Sequence, residues 1–167
     1  PYGAWVLDGA TGLNNKNLVS NESDAKWYVN WWNKYLHDNM KRNVSLKKIM
    51  KDGIDEVSKE YHKLVGDAKV ESLDFPSCAC SIIKFYEDKI EYLILGDCTL
   101  LINDKDCVKT FKDDAISKLD KKVYDYMAEI ENSKNMTFNE RKDKVMHIII
   151  ENRLKRKDCG GFSSFCF

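Results

Sequence analysis

Residues 77–104 read SCACSIIKFYEDKIEYLILGDCTLLIND, and this stretch decides the fold. Its apolar segments are short and tight polar turns separate them. Pro76 and Ser77 open the first segment, Glu87 and Asp88 reverse it, and KIEYLILGD returns. CTLLIND follows at once, and Asn103 to Asp106 turn the chain toward CVKTF. Short apolar runs joined this way predict an antiparallel meander. Cys78 and Cys80 are two residues apart, so on a strand both thiols share one face. The second run is apolar on both faces around Leu93, Ile94 and Leu95, which predicts a central position in its sheet.

Working outward, the upstream chain supplies what covers that sheet. Residues 4–8 read as a buried strand. Ser23 can cap a helix to about Met40, with Ala25, Tyr28, Val29, Trp32, Tyr35 and Leu36 recurring at helical spacing. Trp27 and Trp31 widen that stripe. Ser45 can cap a second helix, with Met50, Ile54, Val57, Tyr61, Leu64 and Val65 on one face and Gly66 as its stop. Two amphipathic helices with a short link predict an antiparallel pair laid on the sheet.

Downstream, Ile116, Leu119, Val123, Tyr126, Met127 and Ile130 mark a third helix. Thr137 and Glu140 have capping-box spacing before a fourth, which runs through Val145, Ile148 and Ile149. A final strand is expected in GGFSSFCF. The order is strand, two helices, meander, two helices, strand, an α+β arrangement in a single domain over residues 1–167.

Bulk composition narrows the function classes. With 27 basic and 27 acidic residues the chain has no electrostatic footprint for nucleic acid or an anionic membrane, so neither is expected as a partner. No apolar run approaches the roughly 18 residues of a spanning helix. Six cysteines without C-x-x-C pairing read as reduced thiols and a cytoplasmic setting. His37, His62 and His147 lack zinc-ligand spacing relative to them. Trp27, Trp31 and Trp32 read as core, His147 as a packed or half-exposed histidine, and RLKRK (153–157) as a solvated helix end.

Two carboxylates share one pattern. In AWVLDGATG, Asp8 ends an apolar strand and precedes Gly9; in YLILGD, Asp97 ends another and follows Gly96. An Asp-Gly pair is first of all a turn signal. Carboxylates on rigid strand ends can also converge on a hard cation such as Mg²⁺ or Mn²⁺, and a glycine lets a backbone carbonyl reach the ion.

These residues resemble a known family. WVLDGATG is similar to the D-G-x-x-G segment of the metal-dependent type 2C serine/threonine protein phosphatases. SCACSIIKFYEDKIEYLILGDCTLLI resembles that family's central hairpin, and the helix pair lies between them in matching order. The resemblance covers essentially the whole chain. It implies an antiparallel β-sandwich flanked by antiparallel helix pairs. It also implies that Asp8 bridges two catalytic metal ions, Mg²⁺ or Mn²⁺, with the Gly9 carbonyl as a further ligand. Asp97 would lie near that centre and support a third ion. The implied reaction is hydrolysis of phosphoserine or phosphothreonine in a phosphorylated protein substrate, by water activated between metals.

Departures from the family pattern accompany the resemblance. Only Pro1 to Leu7 stand where the family has an acidic pair and an arginine, and two later metal aspartates have no counterpart. Cys98 stands where serine is common. The chain opens at Pro1 and ends on an aromatic run, so we expect a piece lacking an N-terminal strand and the C-terminal metal-binding segment, inactive alone. The alternative is a phosphatase-like pseudoenzyme that acts by binding a partner. A haloacid-dehalogenase-type phosphatase fits poorly, because Ala10 stands where its second aspartate belongs.

Overall fold

The computed structural model describes the chain except residues 15, 106, 114–117, 119, 120, 122, 130–135 and 159–167, and the side chains of 153 and 155–158. Strand β1 (Gly3–Ala10) is followed by helices α1 (Asp24–Asn39) and α2 (Leu46–Val65), then by β2 (Ser77–Phe85) and β3 (Ile90–Leu95). Strands β4 (Thr99–Asp104) and β5 (Cys107–Lys112) come next; residues 123–129 are helical and a last helix spans Phe138–Asp158.

Both helix starts follow the sequence pattern. Ser23 accepts from the Lys26 N–H and Ser45 from the Lys48 N–H, each satisfying a donor that the first helical turn leaves open. Gly66 closes α2 at φ +62, a conformation that favours glycine. The buried seam of α2 runs through Leu46, Ile49, Met50, Gly53, Val57 and Tyr61. Leu64, expected on that face, is exposed instead. Gly53 is the closest approach of the pair: a Cβ there would lie 2.5 Å from the Trp32 ring and 2.7 Å from that of Tyr35. Tyr35 also donates its hydroxyl to the Ile49 carbonyl at 3.0 Å.

The helices cover one face of an antiparallel sheet ordered β1-β2-β3. Trp5 and Leu7 of β1, Cys78, Cys80 and Ile82 of β2, and Leu93 and Leu95 of β3 meet Tyr28, Trp32, Leu36, Ile49, Met50 and Val57 there. Glu91 of β3 accepts from the Leu46 N–H at 2.6 Å, so a strand side chain holds the start of α2. At the same end of the pair, its register partner Lys84 of β2 is buried and donates to the carbonyls of Met40 (3.0 Å) and Arg42 (2.5 Å), just beyond the end of α1.

Three expectations are corrected. The central strand is β2, whereas β3 is an edge. Its two apolar faces arise because helices cover one while Phe111 of β5 reaches Tyr92 on the other, with ring centroids 4.7 Å apart. Burial of faces and lateral position in a sheet are independent. The meander also breaks: β4 pairs with β5 and forms a separate two-stranded sheet. Finally, β1 is buried on one side only, and Val6 is 65% exposed. The α+β class stands, with two small antiparallel sheets. Ile116, Leu119, Ile130 and the expected final strand lie outside the described residues.

The capping box opens the last helix, with Thr137 N–H donating to Glu140 at 2.8 Å and Glu140 N–H to the Thr137 hydroxyl at 3.4 Å. No helix among the described residues is long and apolar enough to cross a membrane.

Candidate functional site

The strand register fixes where the two aspartates sit. Asp8 lies opposite Ala79, and Cys80 lies opposite Leu95. Ala79 precedes Cys80 and Leu95 ends β3, so Asp8 and the end of β3 lie at one end of the sheet. Asp97 follows immediately, after Gly96 turns the chain at φ +84. Alternation along β1 turns Trp5 and Leu7 toward the helices and leaves Asp8 on the opposite, open face. Asp8 and Asp97 are both exposed.

Cys98 follows Asp97 in the chain. Its thiol is half-buried, and burial, then the charge of Asp97, then that of Asp8, push it upward. Both carboxylates therefore act on one sulfur. Burial also drives the Cys78 thiol up to about 12, against a hydrogen bond from the Asp8 backbone. Cys80 is raised as well, chiefly by burial. Cys78, Cys80, Cys98 and Cys107 are free thiols.

Strand β2 lies between the two aspartates. Standard sheet spacing sets the backbones of β1 and β3 about 10 Å apart. Asp8 and Asp97 thus occupy one end of the sheet as neighbouring loci, separated by the width of a strand.

Gly9 owes its size to packing. A Cβ there would meet Val29 Cγ2 at 2.6 Å and the Ala25 carbonyl oxygen at 3.1 Å, so the glycine lets β1 lie against α1. Its carbonyl direction follows from the ladder. The Phe85 N–H donates to the Tyr2 carbonyl, which makes the even-numbered residues of β1 the ones bonded to β2. The Gly9 carbonyl accordingly points to the open edge of the sheet.

A third carboxylate at this end escaped the sequence reading. Asp113, just past β5, accepts the Gly96 N–H at 3.2 Å and so braces the turn that carries Asp97. No sequence signal marked it, since Asp113 follows the polar, largely exposed strand CVKTFK and has no glycine beside it. Two further aspartates hold the loop after β1. Asp24 accepts from the N–H groups of Leu18, Val19 and Ser20 at 2.8–3.1 Å. Asp74 accepts from Asn14 (2.8 Å), Lys16 (3.1 Å) and the Glu71 N–H (2.8 Å). Both are fully buried and spent on the fold. Burial works against the Asp74 charge, but the bonds from Glu71, Asn14 and Lys16 outweigh it and hold the carboxyl below the usual range. His147 is exposed beside Glu151, and Trp32 is core, as its spacing predicted.

Among the described residues no three His, Cys, Asp or Glu side chains cluster tightly enough to hold a metal ion. The Asp8 carboxylate with the Gly9 carbonyl suits one hard, mostly hydrated cation, a mode Mg²⁺ favours. They do not amount to the ligand set of a two-ion centre. No family model, curated protein or solved structure matches this chain.

Proposed function

We propose that this chain is a type 2C-like phosphatase domain, a metal-dependent hydrolase for phosphoserine or phosphothreonine in proteins, built as an incomplete form of that family's β-sandwich. One observation carries the reading: two exposed aspartates, each ending an apolar strand beside a glycine, lie at one end of the same sheet. Asp8 and the Gly9 carbonyl would hold Mg²⁺ or Mn²⁺, and Asp97 would attract a further hydrated ion. Such an ion, when bound, lowers the pKa of water and stabilises developing charge on phosphoryl oxygens. The chain's own part is to present Asp8 on a strand whose partner, β2, fixes its backbone, and to hold the Asp97 turn through Asp113. A cytoplasmic location belongs to this reading and rests on six cysteines without paired spacing.

Titration with Mn²⁺, followed by electron paramagnetic resonance, tests it. The expected result is weak binding that Asp8→Ala abolishes and Asp97→Ala lowers, with no aryl phosphate hydrolysis above the metal blank. Absence of binding, or binding indifferent to Asp8→Ala, overturns the metal reading. The missing third ligand among the described residues favours a second reading, a phosphatase-like binding module. Capture of a phosphopeptide that persists in chelator would select that one.

A further inference from the structure

We infer that the cleft between β3 and β5 receives the phosphoryl group of a phosphorylated serine or threonine side chain, with Lys112 as its charged partner; this rests on the phosphoserine and phosphothreonine reading above. Tyr92 and Ile94 of β3 and Thr110, Phe111 and Lys112 of β5 line the cleft, which has a volume of about 490 Å³. Tyr92 and Ile94 alternate with the core residues Leu93 and Leu95, so they lie on the face of the sheet that carries Asp8. The cleft also adjoins the turn of Asp97. The Asp113 carboxylate accepts the Gly96 N–H, and Lys112 and Asp97 each stand one residue from that bond.

Every polar side chain that lines the cleft can donate a hydrogen bond: the Tyr92 and Thr110 hydroxyls and the Lys112 ammonium. None of them has a hydrogen bond or ion pair among the described residues, and no carboxylate lines the cleft. Thr110 and Lys112 are two residues apart on one strand, so they share a face of β5. A phosphate monoester dianion suits this donor set, because its oxygens accept and an ammonium gives it a charge-assisted bond. The Tyr92 and Phe111 rings, with centroids 4.7 Å apart, offer an apolar wall to the carbon that bears the phosphate. The neighbouring charges set a condition. Asp97 and Asp113 repel an arriving dianion, and a cation held at Asp8 and Asp97 offsets that repulsion. The cleft therefore takes phosphate best with the metal present.

Titration of the full chain with O-phospho-L-threonine in excess Mg²⁺, followed by the amide chemical shifts in NMR, tests the inference. The expected result is saturable shifts at Thr110, Phe111 and Lys112, absent with L-threonine. Lys112→Ala, at an exposed position, should raise the Kd about tenfold through loss of one charge-assisted hydrogen bond, and Lys112→Arg should restore it. Thr110→Val should raise it about threefold, as one neutral hydrogen bond is lost. A chelator should weaken binding to the wild type. No shift at these amides, an equal response to L-threonine, or a Kd indifferent to Lys112→Ala would each overturn the inference. Mn²⁺ titration reads Asp8 separately. Failure of phosphothreonine binding with metal binding intact sinks the cleft alone. Lys112-dependent binding that persists unchanged in chelator keeps the cleft and selects the binding-module reading.

Discussion

The backbone N–H of Gly96 donates to the carboxylate of Asp113 at 3.2 Å, linking the end of β3 to the residue just past β5. This is the bond that stiffens the turn presenting Asp97. Asp113→Ala should cost about 1 kcal/mol, the usual worth of one part-buried hydrogen bond, in thermal or urea unfolding. If Asp97 attracts a cation, the same variant should also weaken Mn²⁺ binding, without the complete loss expected of Asp8→Ala.

Asp74 gives the clearest pH signature. Its folded pKa is held down, so its contribution is present above the unfolded carboxylate pKa of about 4 and is lost as pH falls through the lower folded value. Wild-type stability measured against pH should therefore drop on the acid side of that range, and Asp74→Asn should flatten the drop. Asp74→Ala should cost roughly 2 kcal/mol at neutral pH, because the Glu71 N–H and the Asn14 amide lose a buried, charged acceptor.

Gly53→Ala sets two effects against each other. Helix propensity favours alanine by about 1 kcal/mol. The new methyl would sit 2.5 Å from the buried Trp32 ring, and neither that ring nor Tyr35 has space to retreat. Overpacking costs about 1–3 kcal/mol, so the variant should be less stable than wild type, as a lowered unfolding midpoint would show.

Thiol reactivity should follow burial. Cys107 is exposed, whereas Cys78 and Cys80 are buried and their thiols pushed upward by that burial. Among the four described cysteines, iodoacetamide labelling read by mass spectrometry should modify Cys107 first and reach Cys78 and Cys80 only in denaturant. Early labelling of Cys80 would mean that the sheet opens on that side.

Much of this was legible in the chain itself. Ser23, Ser45 and Thr137 announce helix starts because a capping side chain and the N–H it satisfies lie within three residues of each other. The β2–β3 hairpin could be read from its turn for the same reason. Cys78 and Cys80 share a buried face because strand alternation is a local rule.

What failed depended on distance along the chain. That β2 is central, and that β4 pairs away from β3, follows from which strands meet after the helices have docked. The role of Asp74 was equally hidden, because its donors Asn14 and Lys16 lie about 60 residues away; Asp24 takes its donors from four to six residues upstream.

The sequence by itself determined the elements: where helices begin, which faces are apolar, and that two strands end in an aspartate beside a glycine. Only the tertiary structure decided that those strand ends share one end of a sheet, with β2 between them. Local hydrogen bonds and side-chain alternation act over a few residues and are written in the chain; the order of strands arises from burial of the helix faces, which no short stretch encodes.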